Sequence, residues 1–447
     1  GRTVARRTYS GLVNRFLLTL AIAGLAGWIL APQLTRLRVP GFGPADIALA
    51  TEMFRWIIPL ILLQVAAELL KTLANAERMY GTPEVVSLAA RMLSLGALVM
   101  LAGSVGAWAM VVGLWCASIV EVAAILWLLW RRGYRHQLSL SLPESAGTVG
   151  LFGKLGATLP YVGLTQVFAF VFDAALSNLP QGSFAVFRYA TMIWTRTQGV
   201  FLRPLSVPFF TEFSDSAARG LATTAQITEV ALARVLAVTA IVTTAVLAGA
   251  ERVLIGLWQG EQFPPAKIST LVWLLAGLYL LLPLTGTAMV LRKVTVSLHR
   301  VRETYGAMAL VQLISAVLAW LLVSRFGLPG ALGVMALNLV GFCAAPVVVL
   351  RATGDAFRFK YPLGRVWRWS LAATLGILAG VLVDRWIIAF AGTASVSRAS
   401  SVVVGCLLAS VGVAVAYGVS LLLRVPESRQ LVDRVIRVLS PRDDAEA

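Results

Sequence analysis

Residues 181–214 read QGSFAVFRYATMIWTRTQGVFLRPLSVPFFTEFS. The stretch has the length of a bilayer-spanning helix, yet it carries Arg188, Arg196 and Arg203. At roughly 100° per residue, Arg196 lies about 80° around the axis from Arg188 and Arg203 about 60°. The three guanidinium groups and Thr195 therefore share one sector. Charges inside a span are costly and normally face a bundle interior or a watery cavity, so this column is a candidate anion site. The competing reading is that Arg188 and Arg203, near the two ends, snorkel to the headgroups; Arg196, near mid-span, has the least scope to do so.

The rest of the chain places this stretch in a membrane. Of 447 residues, 58% are hydrophobic and 13% charged, and the mean hydropathy is +0.82. A soluble core cannot bury that much apolar surface. Repeated apolar runs of about 20 residues make this an all-α, polytopic membrane protein. About twelve spans are legible, at approximately 12–34, 48–74, 84–103, 108–130, 151–178, 183–210, 225–248, 268–291, 304–324, 329–350, 367–390 and 400–423. The net charge of +17 is carried largely by short loops between those runs. That is the topogenic pattern rather than a nucleic-acid patch, and no nucleic-acid partner is expected.

Alternate loops differ sharply in charge. One side collects Lys71, Arg78, Arg131, Arg132, Arg135, Lys154, Arg219, Arg292, Lys293, Arg300, Arg302, Arg351, Arg358 and Lys360, with further arginines beyond 424. The other has only Arg36, Arg38, Arg252, Lys267, Arg325, Arg385 and Arg398. The positive-inside rule then puts both termini in the cytoplasm, in a plasma membrane. Gly1 in place of Met, with no signal-peptide pattern, leads to the expectation that the chain begins partway into a longer protein.

Depth along the spans suggests which charges meet. Asp173 lies about seven residues before the centre of the short turn near 178–183, and Arg188 about eight after it, so at 1.5 Å per residue their depths match. They are expected to pair or to share a gate, the alternative being a buried pair that fixes helix register. Glu68 and Lys71 stand at i, i+3 on one helix face, as a local pair or a cavity lining. Arg91 and Glu121 match in depth on the next two spans, and Arg234, Glu52 and Arg55 are expected to face headgroups or cavity water. Pro59, Pro160, Pro204, Pro208, Pro283 and Pro346 are kink candidates.

Enzyme signatures are missing. The sequence has no Walker A loop, no HExxH, no GxSxG and no acidic pair suited to metal-assisted glycosyl transfer. Cys116, Cys343 and Cys406 lie in hydrophobic runs without CxxC spacing, and His136 and His299 sit in basic loops without ligand partners. No metal, cofactor or covalent chemistry is expected.

Several stretches resemble the MurJ/MviN family of lipid II flippases, within the multidrug/oligosaccharidyl-lipid/polysaccharide exporter superfamily. They are PGFGPADIALATEMFRWIIPLILLQVAAELLKTLANAERMYGTPEVV (40–86), the 181–214 stretch itself, ALARVLAVTA (231–240) and GLPGALGVMALN (327–338), in order along the chain. The resemblance implies a fourteen-helix alternating-access exporter, of which these spans match the third to fourteenth. It divides the chain into an N-terminal lobe over 1–130, a cytoplasmic linker over 131–150, a C-terminal lobe over 151–350, two additional helices forming a lipid-facing groove over 351–424, and an amphipathic cytoplasmic tail over 425–447. It further implies an undecaprenyl-pyrophosphate-linked sugar peptide as substrate, with its pyrophosphate held by cavity arginines, for which the column offers Arg188, Arg196 and Arg203; Asp173, Glu68 and Lys71 are the gate or ion-pair residues that depth and spacing suggest. Membrane lipids, a coupling ion and the cell-wall synthesis machinery are the other partners it suggests. Two departures matter. The family's arginines on its first two helices have no counterpart here, and Met192 stands where the family has an arginine two residues after the Tyr–Ala pair. A flippase for another lipid-linked glycan, of capsule or O-antigen type, and a non-transporting scaffold remain open alternatives.

Overall fold

The computed structural model describes residues 2–76, 79, 82–134, 148–260, 263–353, 362–391 and 397–429. Among them the secondary structure is helical, with one isolated antiparallel bridge between Gly260 and Phe263. The fourteen helices fall into two compact units, Gly1–Val149 and Gly150–Ala447.

The first unit holds α1 (Arg2–Ile29), α2 (Ala31–Arg38), α3 (Pro44–Ala76), α4 (Thr82–Val105) and α5 (Trp108–Arg131). α5 packs on α3 and α4, and α1 on α3. Gly113 lets α5 approach α4 closely, since a Cβ there would stand 2.8 Å from the Ser94 carbonyl oxygen. A small core of Leu70, Leu73, Met79, Ile125, Leu129 and Tyr134 closes one end. Outside it the apolar side chains of α4 point away from protein, Val99 and Met100 among them. With 11% of its most apolar window covered, α4 is built to be wetted by lipid rather than water.

The second unit holds α6 (Thr148–Ser177), α7 (Ser183–Phe201), α8 (Arg203–Arg219), α9 (Leu221–Trp258), α10 (Pro265–Leu280), α11 (Leu282–Ser297), α12 (Val301–Arg351), α13 (Leu363–Ala391) and α14 (Arg398–Leu422). α9 is its central column, 61% covered in its most apolar window and packed against α8, α10, α11, α13 and α14. Without a hydrophobic effect between helices in lipid, close packing depends on small residues. α9, α13 and α14 follow that rule. A Cβ on Gly249 would stand 2.2 Å from the Gly405 carbonyl oxygen, and one on Gly376 2.4 Å from that of Gly412. Two ion pairs, Arg252–Asp384 at 2.7 Å and Arg365–Glu427 at 2.8 Å, pin opposite ends of α13 to α9 and to the segment after α14.

Among the described residues ten helical stretches, with α10 and α11 counted together, are long and apolar enough to cross a membrane. The expectation of about twelve spans differs from that count for two reasons. α12 contains two crossings, because Gly327 (φ 63°, ψ −136°) turns it back on itself. Asn338 on the second arm then donates to Ser315 (2.9 Å) and Gln312 (3.2 Å) on the first, and Gln312 reaches Thr165 of α6 (3.2 Å). The second reason is that residues 183–210 are not one helix. α7 stops at Phe201 and α8 restarts at Arg203, since Pro204 has no N–H to continue the ladder and Leu205 N–H turns to the Leu202 carbonyl instead. The same break divides 268–291 at Leu281, ahead of Pro283. Pro59, Pro160, Pro208 and Pro346 lie inside continuing helices.

Three helix ends close with a left-handed residue, at Gly133, His299 and Arg424, each followed by an N–H reaching back five residues. After Arg424, Val425 is fully buried against Trp369 and Ala372. Most of the 131–150 linker (135–147, with Arg135 and His136) and of the 425–447 tail (430–447) lies outside the described residues.

Candidate functional site

α7 has a strict two-sided pattern. Val186, Phe187, Ala190 and Trp194 are buried in the core of the second unit. Arg188, Tyr189, Met192, Thr195, Arg196 and Val200 form the opposite, open stripe at helical spacing. Gly182 (φ 93°) starts the helix directly after the α6–α7 turn and so sets this rotation.

The three arginines are not equivalent. Arg188 Nη2 donates to Asp173 Oδ1 on α6. The aspartate side chain is 1% exposed and that of the arginine 42%, so the carboxylate is the buried partner. Arg188 also lies 5.5 Å over the Phe184 ring. Arg196, two turns on, is exposed and has no ionic or hydrogen-bond partner among the described residues. Arg203 is likewise open, but across the break, as the first residue of α8. Met192 projects from the same stripe, 47% exposed, one turn from Arg188 and one from Arg196.

A family model for MurJ, described as lipid II flippase MurJ, matches residues 5–411. The chain belongs to the MurJ family. Members of that family are lipid flippases, transporters and not enzymes. Among solved structures, a chain described as lipid II flippase MurJ in an inward closed conformation superposes with a TM-score of 0.70. It is 13% identical, and the match covers 92% of this chain and 84% of that one, which shows a shared fold. Comparison with curated protein sequences gives no match.

Of the other charges singled out in this MurJ-family chain, all but Arg234 fall in the first unit. Lys71 is 9% exposed and bonds Glu68 at 2.5 Å, as the i, i+3 spacing anticipates. Its second carboxylate is Glu121 of α5 at 3.3 Å, and Ser87 of α4 bridges the two, 2.5 Å from Glu121 and 3.3 Å from Lys71. Glu121 therefore serves Lys71, and not Arg91 as depth alone suggested; Arg91 is exposed, one turn along α4 from Ser87. Depth fixes height along the membrane normal but not rotation about the helix. Arg55 lies over the Trp28 ring, 5.0 Å from its centroid, while Glu52 is exposed.

In the second unit Arg234 and Glu212, 3.8 Å apart, line a cavity of about 320 Å³ with Trp369, Tyr417 and Glu427. The two pairs that hold α13, Arg252–Asp384 and Arg365–Glu427, have no signature in the sequence. Their partners are 132 and 62 residues apart, and no local spacing signals such contacts. The glycines at 249, 376, 405 and 412 did carry a usable signal, since small residues at helical spacing mark helix–helix contact.

Proposed function

We propose that this chain is a flippase for an undecaprenyl-pyrophosphate-linked glycan, with lipid II as the substrate its family membership favours. The supporting observation is that Arg196 and Arg203 are exposed cations without acidic partners among the described residues, on the open side of α7 and at the start of α8. A guanidinium left unpaired in a span needs an anion or water, and pyrophosphate oxygens suit its planar donors. Arg188 has a different part. Locked to buried Asp173, it fixes the rotation of α7 against α6 and so aims the stripe.

The reading is alternating access without covalent chemistry. It carries the lipid from the cytoplasmic to the outer leaflet of a bacterial inner membrane, with both termini cytoplasmic as the loop charges indicate. A coupling ion or the membrane potential returns the empty carrier, and the cell-wall synthesis machinery consumes the product. Met192, in place of the family's arginine, supports a second reading: a flippase for a different lipid-linked glycan.

The test is complementation of a conditional lipid II flippase depletion with wild type, Arg196→Ala and Arg203→Ala. Rescue by wild type and failure of membrane-inserted Arg196→Ala supports the first reading. A wild type that inserts but does not rescue sinks it and moves the substrate to another lipid-linked glycan.

A further inference from the structure

A second feature of the open side of α7 lies beside the arginine stripe. Tyr189 on α7, Trp258 at the end of α9 and Phe263 in the α9–α10 turn converge from three places in the sequence. Their ring centroids are 5.3 Å (Tyr189–Trp258), 6.1 Å (Tyr189–Phe263) and 6.0 Å (Trp258–Phe263) apart. With Gln259, Gly260 and Arg398 they line a cavity of about 490 Å³, within the range of roughly 300–1,000 Å³ typical of small-molecule sites.

The cavity is held in shape by backbone. Gly260 and Phe263 exchange both N–H···O bonds, at 3.3 and 3.1 Å, which closes the turn and fixes the Phe263 ring opposite Trp258. The Arg398 guanidinium lies beside this turn, 3.8 Å from where a Cβ on Gly260 would stand. Below the mouth, an apolar chamber of about 540 Å³ shares Leu257 and Trp258 as walls and continues between α7, α9, α10 and α14.

We propose that Tyr189, Trp258, Phe263, Gln259 and Arg398 form a carbohydrate-binding pocket that takes a pyranose bearing a carboxylate. The electron-rich aromatic faces suit the C–H-lined face of a sugar ring, the amide of Gln259 suits its hydroxyl and acetamido groups, and the guanidinium suits an acidic substituent. Arg398 excludes the other common occupant of an aromatic box, a quaternary ammonium group, because it already supplies a positive charge. Interfacial tyrosines and tryptophans that only anchor a helix in the headgroups need no convergence of rings and no shared cavity. The apolar chamber beneath the mouth fits a sugar attached to a lipid. That the sugar arrives on a lipid, at the outer face, rests on the flippase reading; the sugar chemistry of the pocket does not. A free carboxylate on the ring fits the second form of that reading, a lipid-linked glycan other than lipid II, because a sugar peptide uses that carboxyl in its amide link.

The experiment is saturation-transfer difference NMR on the full chain in lipid nanodiscs, with N-acetylglucosamine and N-acetylmuramic acid as probes. The two share a ring, and only the second carries a carboxylate. Wild type is expected to pass saturation to the ring C–H protons of both, and to bind N-acetylmuramic acid about threefold more tightly, the size of an exposed ion pair. Arg398→Gln removes that preference and keeps the transfer. Tyr189→Ala abolishes transfer of both sugars, and Tyr189→Phe, which keeps the ring, restores it. Tyr189 is 41% exposed, so the variant is expected to fold, and its thermal unfolding is measured alongside. If Tyr189→Ala does not fold, Arg398→Gln decides alone: an unchanged preference overturns the proposal. So does the absence of transfer in wild type, or transfer that folded Tyr189→Ala leaves intact. Flippase complementation is read separately. Rescue without sugar binding removes this pocket and keeps the flippase; sugar binding without rescue does the reverse.

Discussion

The Asp173–Arg188 pair gives an unequal prediction, because its two partners differ in burial. Arg188→Met takes the Arg188 guanidinium away from a carboxylate whose side chain is 1% exposed. Breaking a buried pair from that side costs about 3–5 kcal/mol. Asp173→Asn does much less damage if the open stripe of α7 is wet. The asparagine oxygen still accepts from the guanidinium, and Arg188, 42% exposed, turns its remaining donors to water, at a cost of about 1 kcal/mol. The double variant Asp173→Asn/Arg188→Met removes both charges and should recover most of the loss, giving a coupling of about 3–4 kcal/mol. The assay is reversible unfolding by SDS titration in bicelles, followed by circular dichroism, on the four proteins of the cycle. If the stripe faced hydrocarbon, Asp173→Asn would strand a guanidinium in lipid and cost as much as Arg188→Met. Equal single-variant losses would therefore refute the watery stripe, and additive losses would refute the pair.

Three further outcomes follow from packing and charge in the same way, each read as the unfolding midpoint in that assay. Lys71→Met should cost about 2–4 kcal/mol, because Glu121, with its side chain 18% exposed, loses the one cation near it among the described residues; adding Glu121→Gln should return at least half of it. Gly249→Ala puts a methyl group 2.2 Å from the Gly405 carbonyl oxygen and should cost about 1–3 kcal/mol by forcing α14 off α9. Gly418→Ala, with nothing within 4 Å, is its control and should leave the midpoint unchanged or raise it. Arg424→Gly should stabilise by about 0.5–1 kcal/mol, because it relieves a side chain held at φ 54° while keeping the helix-closing bonds.

How far the fold could be read from sequence depends on whether a signal is local. Apolar run length is local, so the helices of both units were legible. A proline's effect is not. Pro59, Pro160, Pro208 and Pro346 and the two that break helices, Pro204 and Pro283, all delete one backbone bond. Whether the helix then runs on or restarts depends on what surrounds the freed carbonyl, and those surroundings belong to other helices. Gly327 is a similar case. Nothing in SRFGLPGA announces that residue 327 alone takes φ 63°, although a Gly one position before Leu-Pro is the residue best able to do so.

The site divides along the same line. Rotation about one helix follows from sequence at about 100° per residue, which is why the arginine stripe of α7 could be drawn before any contact was known. Depth on two neighbouring helices also follows, from rise per residue and a short turn, and it brought Asp173 to Arg188. Mutual rotation of two helices follows from neither. Arg91 and Ser87, four residues apart on α4, differ by about 6 Å in height and about 40° in rotation, and it is buried Ser87 that meets Glu121 while Arg91 is exposed. The buried charges met in this way, Asp173, Lys71 and Glu121, are each matched by an opposite charge from a neighbouring helix. Low dielectric penalises any other arrangement. Arg196 and Arg203 escape that rule. An exposed cation on a membrane helix, unmatched among the described residues, is in need of a ligand, and for Arg196 that argument could be made from the helix alone.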